Sequence, residues 1–324
     1  MEEKQQDKPN PSFPFNNLYL LSGLVNGNNK WWMYLGTLLL LMLGYVSFQL
    51  MSLYPLIEVL KNKGYTEAEI AANTTLLFDS SILGLDLNVI LLIELGMFVF
   101  AFMGFMIGLR SFHHKTLVSV FTGYEKFRWK RFYFGFAVWA GLILLSTLLS
   151  YFLNPEDLHV KLNWQGLLLS VLIMVTLMPI QTGLEEVLFR GYLLQGLSLL
   201  FKNGIIPLIL TSMLFATAHM TNPEVKEYGA PIMFTYYACF ALFMGGISLL
   251  DEGLELAFGI HLANNLVSSI LISTPTSVIK TYSVFEASKG DAYSEMLLWC
   301  VMSLLTFVIF WLRYKWKNFS LIIK

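Results

Sequence analysis

Eight apolar runs, at about residues 31–57, 88–109, 133–153, 167–188, 207–221, 231–250, 253–271 and 293–313, leave this chain few ways to fold. A helix needs roughly 20 apolar residues to cross a bilayer. Inside lipid the backbone must satisfy its own polar groups, so such runs become helices. Hydrophobic residues make up 56% of the 324 and charged residues 13%, where soluble domains have roughly 45–50% and 25%. The expected fold is all-α, a polytopic membrane helix bundle of about eight transmembrane helices. A net charge of −1 provides no basic surface for nucleic acid. Cys239 and Cys300 both lie inside apolar runs, so neither a disulfide framework nor a thiolate metal site is expected.

Residues 1–30 are polar and Asn-rich, without the charged-then-apolar layout of a secretory signal. They read as a tail in which Phe13, Phe15, Leu18, Tyr19, Leu21 and Leu24 form a short amphipathic helix on the membrane surface or a disordered arm. Residues 31–324 read as a single transmembrane domain. The loop between the second and third runs holds Arg110, Lys115, Lys126, Arg128, Lys130 and Arg131 against Glu125. Basic loops stay in the cytoplasm, and an even number of spans then places both termini there. Thr116 to Phe132 reads as a basic helix on the anionic leaflet. Asn73-Thr74-Thr75 is a sequon in an outer loop.

Against this apolar background ionisable residues stand out, because each is costly at membrane depth. His113, His114 and His159 fall in loops and ask for no role, whereas His219 and His261 fall inside runs. Glu94 has no partner close in sequence and reads as a hydrogen-bonded packing residue. The stretch Gly183-Leu184-Glu185-Glu186-Val187-Leu188-Phe189-Arg190-Gly191 is the most informative. On a helix Glu186 and Arg190, four apart, share a face and pair. Glu185 lies about 100° round from Glu186 and is left free as a general base. Phe215-Ala216-Thr217-Ala218-His219 places one imidazole on the fifth run, and His261-Leu262-Ala263-Asn264-Asn265 places another on the seventh, facing the same way as Asn265. Together these groups supply a base, a second polar group for water and two donors for an oxyanion.

E-E-x-x-x-R, F-x-x-x-H and H-x-x-x-N, in that order on separate apolar helices, resemble the CPBP or ABI family of intramembrane glutamic endopeptidases, whose relatives include the Ras-converting type II CAAX prenyl endopeptidase. The resemblance covers a core at about 115–271. It implies that Glu185 activates water, that His219 helps bind and polarise it, and that His261 and Asn265 form the oxyanion hole. Glu186 and Arg190, with Phe215 of the second motif, would support the site. The expected location is a bacterial cell membrane.

Depth sets a condition on this reading. At 1.5 Å per residue His219 lies roughly 18 Å and His261 roughly 12 Å inward, with Glu185 nearer the cytoplasmic face. The groups meet only if Pro179 and Gly183 kink the fourth span or the fifth is short or tilted. A cytoplasm-facing intramembrane cavity would follow.

The function expected is a metal-independent endopeptidase using glutamate-activated water, cutting near the C-terminus or in a membrane segment of a peptide or membrane protein, plain or lipidated. Two histidines and a glutamate can also hold a catalytic zinc, but the residues come from three helices without H-E-x-x-H, so no cofactor is expected. Two other classes stay open: a proton-coupled transporter and a non-proteolytic membrane scaffold or immunity protein.

Overall fold

The computed structural model describes residues 16–323 apart from 26, 276, 289 and 318. The tail expected at 1–30 is described from residue 16 onward, so Phe13 and Phe15 lie outside the described residues. Every apolar run forms a helix. We label the helices α1 (Leu18–Val25), α2 (Trp31–Asn62), α3 (Leu87–Ser111), α4 (Trp129–Leu153), α5 (Trp164–Phe201), α6 (Ile205–Ala218), α7 (Ala230–Leu250), α8 (Glu255–Leu271) and α9 (Ala292–Tyr314). Among the described residues six of them, α2, α3, α4, α5, α7 and α9, are long and apolar enough to cross a membrane. Helices α6 and α8 have 14 and 17 residues. Of the histidines that the sequence places at membrane depth, His261 lies in α8 and His219 is the C-cap of α6.

Side-chain caps mark several of the helix starts. Asp86, Asn163 and Asp291 each accept from a backbone N–H of the first turn of α3, α5 and α9, which satisfies donors a helix start leaves orphaned. Packing then depends on small residues, because lipid offers no hydrophobic drive between helices and close contact must supply the energy. A Cβ on Gly104 would lie 2.1 Å from Leu40 O, and one on Gly259 would lie 2.2 Å from Phe132 O. These glycines bring α2 onto α3 and α4 onto α8 backbone to backbone.

One apolar core gathers Trp139, Phe240, Met244 and Ile260 from α4, α7 and α8. A second gathers Leu95, Phe105, Met178 and Val187 from α3 and α5. The site lies where α5, α6 and α8 meet between them. At the opposite end from the 110–131 loop a small sheet of β1 (Leu158–Val160), β2 (Ile272–Ser273) and β3 (Phe285–Ala287) has the order β1-β3-β2. β3 pairs antiparallel with β1 and parallel with β2.

Three local expectations change. The 116–132 stretch does not form one surface helix: Leu117–Phe121 is helical with Val120 and Phe121 buried, and Arg128 is buried in an ion network. Its guanidinium meets Glu255 at 2.6 Å and Asp251 at 3.0 Å, while Arg131 reaches Asp251 at 2.5 Å. Acids at the ends of α7 and α8 draw these cations inward, since a buried charge must be paired. Helix α1 is packed into the body, with Tyr19 and Leu20 fully buried. Glu94 lacks the expected hydrogen bond at one oxygen, because its buried Oε2 has no partner among the described residues.

Candidate active site

Helix α5 carries the acidic pair. Its residues Glu186–Leu193 are π-helical, and the Leu194 N–H reaches back to Phe189 O. Such widened turns cluster at functional sites. Glu186 Oε1 accepts from Arg190 Nη1 at 2.9 Å and lies 2.6 Å from His261 Nδ1. Both members of the Glu186–Arg190 pair are buried. The guanidinium carbon of Arg190 lies 4.1 Å from the centre of the Phe215 ring, so an aromatic face stands in for part of the lost solvation.

An ionised carboxylate can only accept, so Glu186 selects the Nδ1–H form of His261. The other ring nitrogen, Nε2, faces Glu185 Oε2 at 3.5 Å. The two acids therefore reach opposite nitrogens of one ring, and Glu185, expected to be left free, is instead held beside the same imidazole as Glu186. Glu185 Oε1 accepts from Gln181 Nε2 at 2.7 Å, and Gln181 Oε1 accepts from Asn265 Nδ2 at 3.2 Å. Trp139 fixes the adjacent Asn264 from α4 at 3.1 Å. A continuous chain of polar contacts thus runs from Asn265 through Gln181, Glu185 and His261 to Glu186 and Arg190.

His219 stands beside this chain. It caps α6, its Nδ1 donates to Phe215 O at 2.7 Å, and its ring lies 4.2 Å from Phe215 and 4.7 Å from Tyr237. That bond to a carbonyl leaves Nε2 as an acceptor. The Phe215 ring is 6.4 Å from His261 and so separates the imidazoles by one aromatic layer. The three motifs meet through the contacts of Glu185 and Glu186 with His261, of Asn265 with Gln181 and of Arg190 with Phe215, on a short α6 of 14 residues and an α5 that carries Pro179 and the widened turns. Glu185, His219 and Asn265 are half-buried, while Glu186, Arg190 and His261 are buried. The Glu186–Arg190 pair and His261 thus lie deeper than Glu185, His219 and Asn265.

The structure brings together Glu185, Glu186, Arg190, His261 and Asn265, and holds His219 next to them through Phe215. Sequence reading missed Gln181. It lies one turn before Glu185 inside an apolar run, a signal a search for charges passes over. Among the described residues no group of three or more His, Cys, Asp and Glu side chains is arranged to hold a metal ion.

Residues 164–267 match the family model described as type II CAAX prenyl endopeptidase Rce1-like, the stretch that contains all three motifs. The resemblance read from those motifs is borne out. The uncharacterized protein YyaK of Bacillus subtilis (strain 168) is 26% identical over 298 residues, covering 91% of this chain and 96% of that protein. No solved structure matches the chain. The helix bundle and the family match together identify an integral membrane protein and support a CAAX-type membrane endopeptidase in general terms.

Proposed function

We propose that this chain is an intramembrane glutamic endopeptidase that works without a metal. The observation that carries the reading is the half-buried Glu185 carboxylate, held by Gln181 on one oxygen and turned to His261 on the other. Water enters between Glu185 and His219, whose free Nε2 accepts one of its hydrogens. Glu185 takes the other proton as the water oxygen attacks the scissile carbonyl. The C=O π electrons move onto oxygen, and His261 with Asn265 hold that oxyanion. In this step His261 enters doubly protonated and donates from Nε2, with its Nδ1–H held by the Glu186 carboxylate. The C–N bond then breaks as Glu185 returns its proton to the leaving amine.

The donor set supports this over zinc, since among the described residues no group of three or more His, Cys, Asp and Glu side chains is arranged to hold a metal ion. The substrate class proposed is a peptide or membrane-protein segment, plain or lipidated, cut near its C-terminus or in its membrane segment. The cytoplasmic face of a bacterial cell membrane is the proposed side of the 110–131 loop and of both termini, on the strength of the basic residues there. The experiment is to incubate purified protein in detergent with a library of lipidated and plain peptides, alongside Glu185→Ala and His219→Ala. Cleavage that both substitutions abolish supports the reading. Absence of any Glu185-dependent product overturns it.

A further inference from the structure

The polar N-terminal arm is held against the widened segment of α5 by more bonds than a tail requires. Asn17 accepts from the N–H groups of Tyr19 and Leu20 and starts α1 as an N-cap. Tyr19 is fully buried, and its hydroxyl lies 2.9 Å from Val120 O and 3.0 Å from Arg190 O. Gln195 returns a bond from α5 to Tyr19 O at 2.9 Å. Gly191 permits this approach, because a Cβ there would meet Val120 at 2.7 Å and the Tyr19 hydroxyl at 3.3 Å.

A second tie holds the same segment. Tyr192, two residues past Arg190, bonds His113 Nε2 at 2.6 Å, and His113 Nδ1 bonds Asn28 O at 2.7 Å. A carbonyl only accepts, so Nδ1 carries the proton and Nε2 accepts from the phenol. Burial holds the His113 imidazole below its ordinary pKa, which keeps it in that neutral form. Lys115 Nζ then donates to Gly23 O and Asn29 Oδ1, each at 2.7 Å. His113, a loop histidine without a role by sequence, is thus the link between the arm and α5.

We propose that residues 17–25 and 27–30 form a strap that positions the Glu186–Arg190 brace, with Tyr19 and Tyr192 as its positioning residues. The proposal rests on the hydrolytic reading only for its kinetic consequence. The strap fixes the backbone that carries Arg190, Arg190 fixes Glu186, and Glu186 fixes the tautomer and aim of His261. Phenylalanine at either position removes the hydroxyl alone, because it keeps the ring and its packing.

The test uses full-length protein carrying Tyr19→Phe, Tyr192→Phe or both, each checked for a cooperative thermal unfolding transition. Hydrogen exchange at amides 186–195 is expected to rise about tenfold or more in each variant, in line with the loss of a net hydrogen bond. Unchanged exchange there in folded variants overturns the strap, whether or not the protein is an enzyme. In peptide cleavage each substitution should lower kcat about tenfold with KM unchanged, and the loss should vanish in a Glu186→Gln background. An equal loss in both backgrounds marks a general structural effect and also overturns it. Wild-type protein without Glu185-dependent cleavage would sink the hydrolytic reading and leave the exchange result to decide the strap.

Discussion

Gln181 donates to Glu185 across one helical turn at 2.7 Å, and through its other amide atom holds Asn265 at 3.2 Å. One neutral side chain therefore sets both the base and a donor of the oxyanion hole proposed here. A hydrogen bond to a charged group contributes about 1.5–3 kcal/mol, which converts to roughly 10–100-fold in rate. Gln181→Leu is expected to lower kcat by that factor with KM little changed. Steady-state cleavage kinetics check it, and an undiminished kcat would detach Gln181 from the reaction.

The Glu186–Arg190 pair is buried on both sides, so removing one partner leaves an uncompensated charge. Such losses cost about 3–5 kcal/mol. Arg190→Met is expected to destabilise by that amount, and Arg190→Met combined with Glu186→Gln by less. Unfolding of the three proteins in one detergent gives the comparison. Strict additivity of the two substitutions would mean that the pair does not act as a unit.

How far the sequence carried is clearest at α5. The four-residue spacing of Glu186 and Arg190 was enough to place their pairing, because residues four apart stay neighbours on the helix surface even though the turn between them is widened. The positions of the apolar runs likewise fixed where the helices lie, since the bilayer allows little else. What stayed hidden depends on contacts far apart in the chain. The widened turns at 186–193 have no local signature, and Gln181 carries no charge to mark it. Burial of Tyr19 and His113 comes from partners about 80 to 170 residues away in sequence. The lipid-surface reading of 116–132 failed for the same reason, as the acids that draw Arg128 inward sit beyond α7.

Metal removal separates the proposed mechanism from its zinc alternative. Dialysis of purified protein against a strong chelator is expected to leave peptide cleavage unchanged, because the described residues bring no three His, Cys, Asp or Glu side chains into an arrangement that holds a metal ion. Activity lost on chelation and restored by zinc would reverse the assignment and make Glu185 a ligand or a base beside a metal-bound water.

Asp251 offers a test whose sign is informative. It lies just past the end of α7, and burial, against the pull of Arg128 and Arg131, pushes its carboxyl up from 3.8 to about 6. A raised native pKa means that the folded state holds the proton more tightly than the unfolded chain. The stability this contributes is fully present below the unfolded pKa and is lost as pH rises through the folded one. Asp251→Asn mimics the protonated form and does not titrate. The thermal midpoint of wild type relative to that variant is expected to fall from about pH 4 to about pH 6.5 and then level off. A relative midpoint that climbs across this window would show that the two guanidinium partners outweigh burial at Asp251.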